Sequence, residues 1–207
     1  MRMEEALHRP LREVLAATQA RVKRSTYCGV PALKSPTDAW VYREIVWETR
    51  PSAIVEVGVH AGGGTLMFAH MLDTVGGRVV GVDVDLTRVA DLVRAHPRVT
   101  LVEGAAATVA GRVWDLVSRG RVMVVEDSSH TYENTLKVLD AYAPMVAAGC
   151  YMVVEDGVCH HGLDEGPNPG PYEAVRDWLP RHQEFAQDRA REFPVTWNPG
   201  GYLRRVR

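Results

Sequence analysis

Carboxylates recur at the ends of apolar runs in this chain. Glu56 lies inside the run Ala53–Val59 and Asp83 near the end of Arg78–Val84. Glu103 closes Val99–Glu103, Asp127 follows Arg121–Glu126, and Glu155 and Asp156 close Cys150–Glu155. Crowded anions repel one another. Six of them at one edge call for a divalent cation, or a ligand with hydroxyls and an ammonium. Asp127, Glu155 and Asp156 are the sharpest subset, since a few hard oxygen ligands completed by water suit Mg²⁺. Val122–His130 and Tyr151–Gly157 nearly repeat each other, each placing an acidic pair after an apolar run. Asp127 has a second reading as the N-cap of the next helix, a task Ser128 or Ser129 could also perform. His130 follows Asp127 by three. It either takes a proton from a hydroxyl whose acidity a metal has raised, or caps a helix and orients Asp127. His160 and His161 are candidate substrate contacts or further ligands, with exposed loop histidines as the simpler reading.

The second constellation is Ile54-Val-Glu-Val-Gly-Val-His-Ala-Gly-Gly-Gly64, which runs from a β-branched segment through a glycine-rich turn into the apolar helical run Thr65–Leu72. Glycines let the chain turn sharply and let backbone N–H groups approach a ligand. The spacing is not that of G-x-G-x-x-G. Asp83, after the second run, is placed to take ribose hydroxyls. The candidate cofactor wall comprises Glu56, Gly58, His60, Gly62, Gly64, Asp83, Glu103, Gly104 and Asp127, with backbone-only contacts an equal reading for the His60 position.

These residues need elements to hold them. The five apolar runs above alternate with helix candidates Gly64–Leu72, Thr87–Ala95, Ala107–Ser118 and Tyr132–Val146. Near-continuous Val/Ile strands alternating with helices predict a mostly parallel α/β sheet, covered on both faces and joined by right-handed crossovers. Its ligands would lie beyond the carboxyl ends of the strands. Upstream, apolar spacing predicts a helix over Glu4–Val22, a loop over Thr26–Asp38, and a helix over Ala39–Glu48 capped by Asp38 and closed by Pro51. Trp40 and Trp47 are seven apart and predict a core face. Tyr27 is a candidate pocket residue; Trp114 either packs on an adenine or is simply buried. Gly157–Pro171 holds three prolines, four glycines and two histidines, the composition of a functional loop or lid. Tyr172–Leu179 resumes as helix, and Phe185–Val206 predicts two strands around the Asn198-Pro-Gly-Gly201 turn.

A chain of 207 residues with 46% hydrophobic and 24% charged residues suits one soluble globular unit. A net charge of −2 offers no basic field for nucleic acid. Cys28, Cys150 and Cys159 form an odd set without C-x-x-C and predict reduced thiols in a cytoplasmic protein. No apolar run approaches a membrane span, and no signal-peptide core opens the chain.

Several segments resemble one family. Glu56-x-Gly58-x-x-x-Gly62 looks like motif I of class I S-adenosylmethionine-dependent methyltransferases. Together with Gly81-Val-Asp-Val-Asp85, Glu126-Asp-Ser-Ser-His-Thr131, Val154-Glu-Asp-Gly157, Gly170-Pro-Tyr-Glu-Ala-Val175 and Asn198-Pro-Gly-Gly-Tyr-Leu203, it resembles the cephalosporin hydroxylase family. That group includes the enzyme of cephamycin 7-methoxylation and rhamnosyl O-methyltransferases. The resemblance implies a Rossmann-like class I methyltransferase with a mostly parallel seven-stranded sheet and helices on both faces. Residues 1–50 would form N-terminal helices and a lid or substrate segment, and 51–207 the methyltransferase domain. It further implies S-adenosylmethionine and Mg²⁺ as cofactors, Asp127, Glu155 and Asp156 as metal ligands, and Glu56, Gly58 and Asp83 at the cofactor. In catechol-type relatives a lysine base lies three after the first metal aspartate; here His130 stands there. Gly64 replaces a serine common in relatives. The implied reaction is O-methylation of a small natural-product or sugar acceptor. Charge and hydropathy predict no nucleic-acid or membrane partner, and the amphipathic N-terminal helix predicts a homo-oligomer. A metal-dependent hydroxylase and a non-catalytic cofactor-binding partner are the competing readings.

Overall fold

The computed structural model describes residues 2–118, 120–160 and 169–207. Among the described residues, seven strands form one sheet in the order β5-β4-β3-β6-β7-β9-β8. These are β3 (Ala53–Val57), β4 (Arg78–Asp83), β5 (Val99–Glu103), β6 (Val122–Glu126), β7 (Tyr151–Val154), β8 (Phe185–Gln187) and β9 (Tyr202–Arg205). The first five are parallel, and β9 runs antiparallel to both its neighbours. The strand order reverses beside β3, so a crevice opens between the carboxyl ends of β3, β4 and β6.

Both faces are covered, as the continuous apolar strands predict. Val55, Val57, Val80, Val82, Val124 and Met152 pack beneath α6 (Ala106–Val117), α7 (Tyr132–Tyr142) and α8 (Pro171–Trp178). Ile54, Val79, Met123, Val125 and Val153 pack on the opposite side with α3 (Pro36–Thr49) and α4 (Gly63–Leu72). Each such buried side chain contributes roughly 1.5–3 kcal/mol.

Several expectations change. The N-terminal helix breaks into α1 (Met3–Ala6) and α2 (Leu11–Val22) because Pro10 supplies no N–H and disfavours helix before it. Its apolar residues are largely outside the core: Leu7 and Leu11 are exposed. The loop Thr26–Asp38 contains a small hairpin, β1 (Thr26–Tyr27) with β2 (Val30–Pro31), turning at Cys28 and Gly29, both with positive φ. α3 then begins at Pro36, after Ser35. Its buried face is Asp38, Val41, Tyr42, Ile45, Val46 and Thr49. That leaves Trp40 (64% exposed) and Trp47 (50%) outside the core, with the Arg50 guanidinium over the Trp47 ring. The helix expected over Thr87–Ala95 shrinks to α5 (Asp91–Arg94). There Asp85 accepts hydrogen bonds from the Thr87 N–H and hydroxyl, a local turn that competes with helix.

Candidate active site

The glycine turn is held from two sides. Gly58 has φ +97°, and a Cβ there would fall 1.9 Å from the Asp127 carbonyl oxygen. Only glycine lets the end of β6 lie against the turn. Asp83 Oδ2 accepts from the N–H groups of Val59 (2.8 Å) and His60 (2.9 Å), and Oδ1 from that of Asp85 (3.1 Å). Asp83 therefore clamps the turn as well as facing the crevice. Gly62, with φ +93°, caps α4 against Val93. Gly63 and Gly64 serve a different neighbour from the one expected. A Cβ on Gly63 would meet the backbone of Pro31, and one on Gly64 would fall 2.7 Å from Lys34 Cε and 2.4 Å from Glu56 Oε1. Their bareness admits the segment Pro31–Lys34.

That segment delivers Lys34, the residue that reading along the chain passes over. Its side chain is 6% exposed, and its Nζ lies 2.5 Å from Asp127 Oδ2, 2.5 Å from Glu155 Oε1 and 3.3 Å from Glu56 Oε1. Burial opposes its charge, but the Asp127, Glu155 and Glu56 carboxylates outweigh burial and raise its pKa well above the usual lysine value. Glu56 Oε2 also accepts from the Thr65 hydroxyl at 2.5 Å. One signal was available: arginine supplies nearly all the cations of this chain, which has three lysines.

Asp127, His130 and Asp156 each offer a ligand atom, all within 4.8 Å of one another. His130 Nε2 lies 3.4 Å from Asp156 Oδ2. Both residues sit at φ +53°, as His60 does at +51°. Non-glycine residues in that region cluster at functional sites, although Cys28 and Arg50 adopt it at an ordinary hairpin and helix end. This grouping differs from the expected Asp127–Glu155–Asp156 set. Glu155 continues the strand direction and turns its carboxylate to Lys34, while the left-handed backbone at Asp156 sends the next side chain elsewhere. Burial raises the pKa of Asp127, Glu155 and Asp156 alike, with the Asp127 charge adding to the effect on Glu155 and Lys34 opposing it throughout. The N-cap reading of Asp127 is not the observed arrangement, since Thr131 stands at the start of α7.

A buried polar frame stands behind these residues. Asp38 accepts from the Tyr202 hydroxyl (2.8 Å), the Thr196 hydroxyl (2.6 Å) and the Trp197 N–H (2.8 Å). Asn198 accepts from the Asp156 N–H (3.1 Å) and donates to the Tyr42 hydroxyl (2.9 Å). The expected helix cap Asp38 is thus a tie between α3 and the C-terminal segment. Asn198, read only as a turn residue, fixes the Asp156 backbone.

In front lies a cleft of about 510 Å³, lined among others by Lys34, Glu56, Gly58, His60, Gly64, Asp83, Gly104, Asp127, Ser128, His130, Asn134 and Asp156. That size is ordinary for a small-molecule site. Glu103, Gly62 and Glu155 are not in the lining, and Glu103 is exposed at the end of β5. Neither Tyr27, whose hydroxyl meets His70 Nδ1 at 3.1 Å, nor the half-exposed Trp114 reaches it. Of the lid Gly157–Pro171, residues 161–168 lie outside the described residues, so the site expected at His161 does too.

The fold is that of a class I methyltransferase. A structure of CmcI described as Mg-SAM superposes with a TM-score of 0.68 at 21% identity, over 88% of this chain and 77% of that one. The apo structure of CalS11, described as a TDP-rhamnose 3'-O-methyltransferase of calicheamicin biosynthesis, gives 0.58 at 19% identity over 99% of both chains. In sequence, the rhamnosyl O-methyltransferase of Mycobacterium tuberculosis (strain H37Rv) is 31% identical over 190 residues, covering 87% of this chain and 78% of the relative. That of Mycobacterium leprae is 30% identical over 188 residues, 86% and 82%. Residues 19–206 match the family model Rhamnosyl O-methyltransferase/CmcI. The chain belongs to that family, and the resemblance drawn from its motifs holds.

Proposed function

We propose that the protein is an S-adenosylmethionine-dependent, Mg²⁺-dependent O-methyltransferase acting on a sugar hydroxyl of a natural product. The observation that carries this reading is the placement of Asp127, His130 and Asp156 together in the lining of the cleft that also holds the glycine turn. The donor set fits a hard divalent cation, with Asp127 and Asp156 as oxygen ligands and water completing the shell. The two cofactors supply a methyl group and a Lewis acid that makes an acceptor hydroxyl more acidic. The mycobacterial relatives named as rhamnosyl O-methyltransferases, and CalS11 with its TDP-rhamnose substrate, support a deoxysugar acceptor.

The residues of the chain do the rest. The turn at Gly58–His60, held by Asp83, presents its backbone to the donor. Asp127 packs its backbone on this turn and its carboxylate in the cluster, and so ties the donor's turn to the metal ligands; alignment of the reactants supplies much of the rate of an in-line displacement. The His130 imidazole takes the hydroxyl proton, and Asp156, whose Oδ2 lies 3.4 Å from Nε2, stabilises the imidazolium. An oxygenase centre typically uses two histidines and one carboxylate; two carboxylates and one histidine gather here. Incubating the protein with S-adenosylmethionine, Mg²⁺ and a rhamnosyl acceptor should give a mono-methylated product by mass spectrometry. Full turnover by metal-stripped protein in EDTA, or oxygen consumption with iron and 2-oxoglutarate, would overturn the reading.

A further inference from the structure

Lys34 is buried, cationic and enclosed by anions. Gly64 leaves room for its stem and Phe68 covers it, the Nζ lying 5.7 Å from the ring centroid. The hairpin and the anchored start of α3 hold the backbone on both sides. Such a residue is not a surface charge that drifted inward, because its chain path needs two bare glycines, Gly63 and Gly64, to exist.

Its partners are also informative. Asp127 belongs to two groups at once: its Oδ2 is bound to Lys34, and its carboxylate is a member of the Asp127–His130–Asp156 cluster. An ammonium and a divalent cation sharing one carboxylate repel each other across a few ångströms of poorly screened interior. Without any cation, three buried carboxylates would repel one another and lose their charge.

We propose that Lys34 is the resident counter-cation of this site: it holds Glu56, Asp127 and Glu155 together in the metal-free protein and competes with the divalent cation for Asp127, so setting how tightly that cation is held. This rests on the metal reading above. It makes Lys34 a positioning residue whose loss acts in opposite directions on the metal-free fold and on metal affinity.

Calorimetric titration with Mg²⁺ and thermal unfolding, on wild type and Lys34→Met, test it. Lys34→Met should lower the Tm of the metal-free protein by roughly 5–10 °C. It should bind Mg²⁺ about tenfold more tightly, and Mg²⁺ should restore more of its Tm than it adds to wild type. Folded Lys34→Met that binds Mg²⁺ no more tightly than wild type overturns the proposal. Should Lys34→Met not fold, the wild-type chain still answers. Its three lysines are Lys23, Lys34 and Lys137. In a ¹³C-lysine sample the Lys34 Cε signal, identified with Lys23→Arg and Lys137→Arg, should move in step with Mg²⁺ binding. A Lys34 signal unmoved at saturating Mg²⁺ overturns the proposal. Absence of Mg²⁺ binding to both wild type and Lys34→Met instead overturns the metal reading beneath it.

Discussion

At the scale of single residues, Asp127 lies where three requirements meet. Its backbone carbonyl touches the glycine turn, one carboxylate oxygen meets Lys34, and its carboxylate faces His130 and Asp156. Asp127→Ala should lower methyl transfer by more than about 100-fold while leaving S-adenosylmethionine affinity within about threefold, read by product formation and equilibrium binding. Its neighbour Glu126 is a separate case. It is 2% exposed, one carboxylate oxygen accepts from the Ser128 hydroxyl at 2.7 Å, and the other has no hydrogen-bond partner among the described residues. Burial pushes its pKa from 4.5 to about 8. The folded chain then keeps this proton where the unfolded chain has released it, so the advantage to folding is present below pH 4.5 and is lost as pH rises toward 8. Glu126→Gln removes the titration. It should match wild type at pH 4 and exceed it by about 4 kcal/mol in urea unfolding at pH 8. Asp127 and Asp156 stood out from their spacing, since each follows an apolar run closely. Lys34 did not, because its partners Asp127 and Glu155 lie 93 and 121 residues away and nothing local marks the pairing.

Among the elements, two connections decide whether the site exists. The first is the turn after β3. Gly58→Ala would put a Cβ 1.9 Å from the Asp127 carbonyl oxygen at a φ of +97°, so the turn and the end of β6 cannot both keep their places. Loss of S-adenosylhomocysteine binding by calorimetry, with a Tm drop of at least about 6 °C, is the expected outcome. The second is the stretch Pro31–Asp38. Asp38→Ala strands the Tyr202 and Thr196 hydroxyls and the Trp197 N–H, which all donate to its carboxylate. Leaving several buried donors unpaired should cost about 3 kcal/mol in denaturant unfolding. The strands and the helices α4, α6, α7 and α8 were readable because continuous apolar runs and helical spacing are local properties. The face of α3 was not. Trp40 and Trp47 share a helical stripe, but Val41, Tyr42, Ile45 and Val46 form another, and only packing against α4 selects between them.

For the molecule as a whole, the reversal of strand order beside β3 gathers residues from six separated segments into one cleft. Prolonged EDTA treatment should abolish turnover, and Mg²⁺ should restore it while raising the Tm of the wild-type protein, as ligands of the folded state do. Among the described residues, no helix is long and apolar enough to cross a membrane. The sequence by itself determined the parallel sheet with helices on both faces, the carboxylate-rich edge and the family, because apolar periodicity and short motifs are written in adjacent residues. Only the tertiary structure decided that Glu155 faces a lysine, that His130 joins Asp127 and Asp156, and that two glycines of the turn make room for Lys34. Those outcomes depend on side-chain direction and on contacts between distant segments, which are settled when the chain closes on itself.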